Sequence, residues 1–402
     1  MDTVVDNAVI INRRYLDDEQ LIHSEQLEVL EEIFNANVRD YEIREISSHF
    51  APILRNDHPM HLALWGKTGT GKTLTICYFL KLFSDICKKR KIPVWIEHLD
   101  LSTPRPCFRA LNDLACLLNV SRKYKRGVSL EEIMLKIESA LAEYYGHFIL
   151  FIDEVDNVRT DKDNFLAFLI RRLPQAVPSK VILVFASNRI NWADNLDPRI
   201  KSFLKMNELI FKPYDAVDLQ HILKIRVKKA LHPKSITPGV IEKIAAMSCY
   251  EHGDARRAVV LLSSSAHIAE KNGSRITTET VDHAAQEIER DKYVDMIRTA
   301  PVQLQAVMAA VVLCIRKMHK ATVDTYSVYD VYKNFCSKAS VRCLAIRAFR
   351  DLINELDIYT FIRARVISKG RYGRTREIVM DLPSELADKI YNTILLNFQM
   401  KK

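Results

Sequence analysis

Residues 66–73 read Gly-Lys-Thr-Gly-Thr-Gly-Lys-Thr directly after the apolar run Leu62-Ala63-Leu64-Trp65. A strand that feeds such a loop constrains the chain more than any other feature here. Gly66, Gly69 and Gly71 carry no Cβ, so successive backbone N–H groups can turn inward around a phosphate. Lys72 is placed to reach β- and γ-phosphates, and the Thr73 hydroxyl to ligate a divalent cation. Lys67, Thr68 and Thr70 complete the loop, and helix-periodic sequence follows from Leu74 to Leu82. The loop predicts nucleotide binding. What that binding serves must be read from the rest of the chain.

Short apolar runs at His61–Trp65, Val94–His98, Phe148–Ile152, Val181–Ala186 and Glu208–Phe211 alternate with helix-periodic stretches. Bare apolar strands separated by helices predict a parallel sheet covered on both faces, with ligand at the carboxyl ends of its strands. The run Phe148 to Ile152 ends in Asp153-Glu154. Asp153 is expected to hold Mg²⁺ through water, and Glu154 to orient and polarise an attacking water. One strand later, Ser187-Asn188 places the Asn188 amide where it could meet a γ-phosphate or that water. In Leu196-Asp197-Pro198-Arg199 two readings of Arg199 fit: an arginine finger for a neighbouring subunit, or a surface arginine paired with Asp197.

After Lys212-Pro213-Tyr214 the strand pattern stops. Helical periodicity covers Asp215–Leu231, Pro238–Met247, Asp254–Asn272 and Thr278–Arg290, predicting a separate bundle. In Gly253-Asp254-Ala255-Arg256-Arg257-Ala258, Asp254 is a candidate N-cap and Arg256 could reach back to the phosphates. Arg257 faces about 100° away and reads as structural.

The net charge of +9 is not spread evenly, because residues 296–402 hold eighteen Lys/Arg against nine Asp/Glu and so carry the whole excess. A neutral motor joined to a basic tail points to a polyanion meeting the tail. The tail reads as helices Val302–Met318, Ser327–Phe335 and Ser340–Asp357, then strands Phe361–Ile367 and Arg376–Leu382. That order is a winged helix. On the third helix Arg342, Arg347 and Arg350 fall opposite the apolar stripe, as on a helix offered to a major groove, though a solvated basic face has the same pattern. The strands are joined by Ser368-Lys369-Gly370-Arg371-Tyr372-Gly373-Arg374-Thr375-Arg376, a tip that no acid interrupts, and Arg363 and Arg365 extend it. Lys369, Arg371, Tyr372, Arg374 and Arg376 are therefore candidate DNA contacts. The stretch from Thr103 to Leu118 is open as a second DNA element, and the run Arg122-Lys123-Tyr124-Lys125-Arg126-Gly127 that follows it fits either such an element or a solvated loop.

No apolar stretch approaches the roughly 18–20 residues of a membrane span, and the N-terminus lacks a basic segment followed by an apolar one. The eight scattered cysteines form no C-x-x-C pair and read as reduced core residues of a cytoplasmic protein.

Taken in order, the loop, Asp153-Glu154, Asn188, Arg199 and Arg256 resemble the AAA+ ATPases. With the basic C-terminal unit, the chain resembles the archaeal replication initiators related to the eukaryotic origin recognition complex and its cell-division-control loader. The resemblance covers nearly the whole chain and implies an α/β AAA+ P-loop sheet (1–212), a helical lid (213–295) and a winged helix (296–402). It implies ATP/ADP and Mg²⁺ as ligands, slow turnover used as a switch, and duplex origin DNA, the replicative helicase and other initiator subunits as partners on the nucleoid. An ATP-switched winged-helix transcription regulator is the alternative. The chain departs from the family pattern at Lys67, where Pro is common, and at Phe203, where eukaryotic relatives often carry a second Arg. Arg14 to Glu25 looks like the adenine-pocket segment, with Ser24 where Arg is usual.

Overall fold

The computed structural model describes residues 9–17, 23–120, 128–189, 191–250, 253–318, 322–368 and 374–399. It forms two compact units, divided between Val281 and Asp282.

The first unit opens with helices α1 (His23–Asn35) and α2 (Asp40–Phe50). It continues through β1 (His61–Trp65), α3 (Lys72–Lys89), β2 (Val94–Asp100), α4 (Cys107–Leu117), α5 (Leu130–Leu141) and β3 (His147–Asp153). After α6 (Lys162–Ala167), a π-helical turn over Phe168–Arg172 and α7 (Leu173–Ala176) come β4 (Lys180–Ser187), α8 (Pro198–Phe203) and β5 (Met206–Ile210). The five strands pair in parallel in the order β2-β3-β4-β1-β5.

Their alternation divides the core in two. Ala63, Trp65, Phe148, Leu150, Ile152, Leu183 and Phe185 pack on one side of the sheet with α4 and α5. Leu62, Leu64, Ile149, Phe151, Ile182, Val184 and Ala186 pack on the other, against α2 and α3. Both faces are covered, which is why the strands read as unbroken apolar runs. Trp65, 1 % exposed at the end of β1, packs against Trp192 with ring centroids 5.9 Å apart.

The lid in this unit comprises α9 (Ala216–Ala230), α10 (Val240–Tyr250) and α11 (Ala255–Lys271). Asp215 caps α9 by accepting from the N–H groups of Val217 and Asp218, both at 2.8 Å. Asp254 caps α11 in the same way, accepting from Arg256 N at 2.8 Å. Both caps satisfy helix donors that have no partner within the helix. The segment Val9–Asn12 lies along the end of α9: Ile11 N donates to Ala230 O and His232 N to Val9 O.

The long helix α12 (Thr278–Thr299) leads into the second unit. That unit holds α13 (Val302–Met318), β6 (Thr322–Asp324), α14 (Thr325–Lys338), α15 (Ile346–Ile358), β7 (Ile362–Ser368), β8 (Arg374–Met380) and α16 (Ser384–Asn397). An antiparallel sheet of order β6-β8-β7 closes over the helices, and Tyr293, Val294 and Ile297 from the end of α12 join its core. This is the winged helix expected from the sequence, with β6 and α16 added.

The third helix starts later than its periodicity suggests. Ser340 is left-handed (φ 55°), and Ala345, the residue before the helix, is extended. Side chains hold the backbone between them: Gln303 Nε2 donates to Arg342 O (2.9 Å), Tyr329 Oη to Leu344 O (2.9 Å), and Leu344 N to Tyr332 Oη (3.2 Å). Arg342 therefore precedes α15 and is not on it.

Candidate nucleotide site and basic winged helix

The phosphate loop turns at Gly69 (φ 76°) and Gly71 (φ 82°), in the region that side chains avoid. A Cβ at either would also strike a neighbour, the Asp254 carboxylate at Gly69 and the Tyr214 hydroxyl at Gly71. Gly71 ends the loop directly before α3, which aims its free N–H groups and positive dipole end at the cradle. Thr70 Oγ1 closes the loop on Lys67 O at 2.8 Å.

Lys72 is 7 % exposed, and its ammonium donates to Gly66 O (2.8 Å), Lys67 O (2.9 Å) and Asn188 Oδ1 (2.9 Å). Burial pushes its pKa down to about 8, with Asp153 and Glu154 opposing. Thr73 Oγ1 donates to Asp153 Oδ2 at 2.7 Å, and the other Asp153 oxygen accepts from Glu154 N at 3.0 Å. Glu154 sits in the left-handed region (φ 52°), and burial raises its pKa, helped by Asp153, Asp156 and Asp100. Asn157 Nδ2 donates to Glu154 Oε2 (2.8 Å) and to Leu101 O (3.0 Å), so one amide ties the carboxylate to the end of β2.

Lys72, Thr73, Asp153, Glu154, Asn188 and Arg256 line one cleft, as the sequence suggests. Thr68, Gly69 and Gly71 share it. Arg199 does not belong to that lining. It is exposed on α8, beside a small apolar pit with Ile170, Ile200 and Phe203. The Asp197 carboxylate accepts instead from the Arg199 backbone N–H (2.8 Å), as the cap of that short helix.

Three parts of the site were not found from sequence. The first is Arg39, left-handed (φ 67°) and 8 % exposed before α2. It donates to Glu42 Oε1 (2.6 Å), Thr70 O (2.9 Å) and Lys212 O (2.5 Å), and its guanidinium lies 4.0 Å from the Tyr214 ring centroid. It thereby fastens the phosphate loop to the connector leading into the lid. The second is Asn157, which lies within reach of Glu154 because a 3-10 turn follows the strand. The third is the apolar end of the cleft, lined by Leu30, Ile33 and Phe34 of α1, Ile222 of α9 and Val259 of α11. These residues are far apart in sequence, and their helix stripes look like ordinary core.

In the second unit, Phe349, Ile353 and Leu356 turn into the core from α15 while Arg347 stays exposed. Arg350 Nη2 donates to Tyr326 Oη at 3.1 Å, and Arg376 Nη1 donates to Arg350 O at 3.2 Å. Arg363 is paired with Asp381 at 2.8 Å, and Arg365 stands opposite Glu377 in the β7–β8 register. Those two arginines thus face acids within the hairpin. Lys369, Arg371 and Tyr372 lie outside the described residues, as do Arg122 to Gly127. Arg374 opens β8. In the candidate second DNA element, Arg105 pairs with Asp113 of α4.

A parallel sheet with a phosphate loop after its interior strand β1, a helical lid bearing Arg256 and a C-terminal winged helix define an AAA+ ATPase fused to a winged-helix domain. Family models agree: an AAA domain matches residues 55–190, a Cdc6 AAA+ ATPase-type lid 220–286, and a CDC6 C-terminal winged helix 295–389. The ORC1-type DNA replication protein of Thermococcus onnurineus is 34% identical over 362 residues, covering 88% of this chain and 86% of that one. ORC1-type DNA replication protein 1 of Sulfolobus acidocaldarius is 35% identical over 358 residues, 87% of each. The chain belongs to the ORC1-type DNA replication protein family. Among solved structures, the Aeropyrum pernix ORC1 protein in complex with DNA superposes with TM-score 0.70 at 29% identity, covering 97% of each chain. Cdc6p from Pyrobaculum aerophilum, 20% identical with TM-score 0.57, shares the fold.

Proposed function

We propose that this protein is an ATP-regulated replication initiator that binds duplex origin DNA and recruits the replicative helicase, in company with other initiator subunits. The carrying observation is the convergence of Lys72, Thr73, Asp153, Glu154, Asn188 and Arg256 on one cleft beside the lid. DNA binding is supported by the basic winged helix and by the relative from Aeropyrum pernix whose structure holds DNA. The transcription-regulator alternative is not favoured, because the relatives are replication proteins.

The residues present fit ATP or ADP with Mg²⁺. Thr73 and Asp153 supply adjacent hard oxygen donors, the type Mg²⁺ prefers, and bound Mg²⁺ would neutralise phosphate charge. Lys72 holds the phosphates, the apolar end of the cleft takes the base, and Arg256 reports phosphate occupancy to the lid. Glu154 orients and polarises a water, steadied by Asn157, while Asn188 positions the reacting groups. Arg199, exposed outside this cleft, acts on the nucleotide of a neighbouring copy. Turnover is slow and serves as a switch. Among the described residues no helix is long and apolar enough to cross a membrane, and the working place proposed is the cytoplasm, on the nucleoid.

Footprinting on the organism's own origin DNA tests this reading. Protection that exceeds that on random duplex and is lost in Arg371→Ala/Arg374→Ala, with ATP binding retained, is the expected result. Equal protection of origin and random duplex would overturn it.

A further inference from the structure

On the basic face of the winged helix, the Arg350 guanidinium is held by a neutral side chain and not by an acid. Arg363 is paired with Asp381, and Arg365 has Glu377 opposite. Arg350 differs, since its guanidinium nitrogen donates to a neutral oxygen, Tyr326 Oη at 3.1 Å, and its guanidinium carbon lies 5.6 Å from the Tyr326 ring centroid. The backbone on either side is fixed. Tyr326 N is bonded to the Asp324 carboxylate (3.0 Å) in the cap of α14, and Arg350 O accepts from Arg376 Nη1 of β8. Tyr326 is 53 % exposed although it is a large aromatic residue on a packed helix.

We propose that Tyr326 is a positioning residue for sequence recognition: its hydroxyl and ring hold the Arg350 guanidinium in one orientation for reading a base edge in the major groove. The proposal rests on the reading of this unit as a DNA-binding one. Two physical arguments carry it. An arginine reads guanine through a planar fork, and that geometry fails if the fork rotates. A side chain already ordered before binding loses less freedom on binding, so the gain falls on the duplex that matches the fork. An acid would also order Arg350 but would cancel the charge that attracts DNA. The Tyr326 hydroxyl orders it and leaves the charge whole.

The test uses the full chain with ATP and two duplexes: one enriched from a random pool by the wild-type protein, and its scrambled counterpart. Tyr326→Phe removes only the hydroxyl. The ratio of affinities for the selected and scrambled duplexes is expected to fall about five-fold, while the slope of log affinity against log salt keeps its wild-type value, since no phosphate contact is lost. Arg350→Lys keeps the charge and loses the fork. It should lower the ratio similarly, and adding Tyr326→Phe to it should lower the ratio no further. An unchanged ratio in Tyr326→Phe overturns the proposal, as does a shallower salt slope, which would make the hydroxyl a direct phosphate contact. Wild-type protein that binds duplex without discriminating also overturns it while leaving DNA binding intact. No duplex binding at all would overturn both readings.

Discussion

Lys72 Nζ and Asn188 Oδ1 are 2.9 Å apart, joining the phosphate loop to the tip of β4. Two residues 116 positions apart thus meet in the cleft, where the proposed function puts a γ-phosphate. Lys72→Ala should weaken ATP binding by at least about 100-fold, the order lost when a buried charge-assisted contact is removed. Equilibrium binding of a fluorescent ATP analogue, with circular dichroism to verify the fold, measures this.

The same lysine sets a pH dependence. Burial holds it at about 8, below its ordinary value of 10.5, and a phosphate binds the ammonium form. ATP affinity should be flat below pH 8 and fall as pH rises through it, by up to about ten-fold per unit. Titration calorimetry at pH 7, 8 and 9 should also find proton uptake on binding near pH 8. Constant affinity from pH 7 to 9 would contradict the assignment.

Asn157 touches Glu154 and the end of β2 with a single amide. Glu154→Gln should cut ATP turnover by at least about 100-fold with ATP binding retained. Asn157→Ala, which removes only the group that orients the carboxylate, should cut it about ten-fold. Steady-state turnover alongside nucleotide affinity separates the two. A loss of affinity in Asn157→Ala equal to the loss of turnover would show a collapsed site, not a misaimed carboxylate.

Arg39 and Glu42 form a buried pair at 2.6 Å, with side chains 5 % and 9 % exposed. Arg39→Met leaves Glu42 buried without its cation and should cost about 3–5 kcal/mol of stability. Arg39→Met/Glu42→Leu should recover part of it, because two apolar groups leave no stranded charge. Chemical denaturation of the three proteins gives the comparison.

At the opposite end of the sheet, burial lowers the His61 pKa to about 4, with His58 and His49 adding to the effect. The unfolded chain binds a proton near pH 6.5 that the folded one refuses until about 4, so stability is full above 6.5 and is lost as pH falls toward 4. His61→Asn should flatten that part of the stability profile. Urea midpoints between pH 4 and 7.5 are the measurement.

How much of this was legible depends on where each contact is encoded. Asp153 and Glu154 lie at the end of an apolar strand, which periodicity finds, and Lys72 and Thr73 close a glycine-spaced loop that stands in the sequence as a motif. The parallel sheet was legible in the same runs, whereas the order β2-β3-β4-β1-β5 is set by crossovers that the runs do not encode. Arg39 gave no signal because the partners that tie it to the site are backbone carbonyls at Thr70 and Lys212, which any sequence supplies, and its pairing with Glu42 three residues on looks like an ordinary helix-surface pair. The start of α15 was misplaced for a related reason: Val341, Leu344 and Ala345 continue the apolar stripe, yet hydrogen bonds from Gln303 and Tyr329 and to Tyr332 hold that backbone outside the helix. Side-chain capture of a main chain leaves no periodic trace.

Trp65 stands one residue before Gly66, and Trp192 four residues after Asn188, with their indoles in contact at 5.9 Å. Trp95, the remaining indole, lies on the edge strand β2 against Tyr144. Two of the three indoles therefore sit in the core just behind the phosphate loop and the tip of β4. A ligand that shifts either element would change the coupling between them, an intrinsic optical gauge that needs no attached dye.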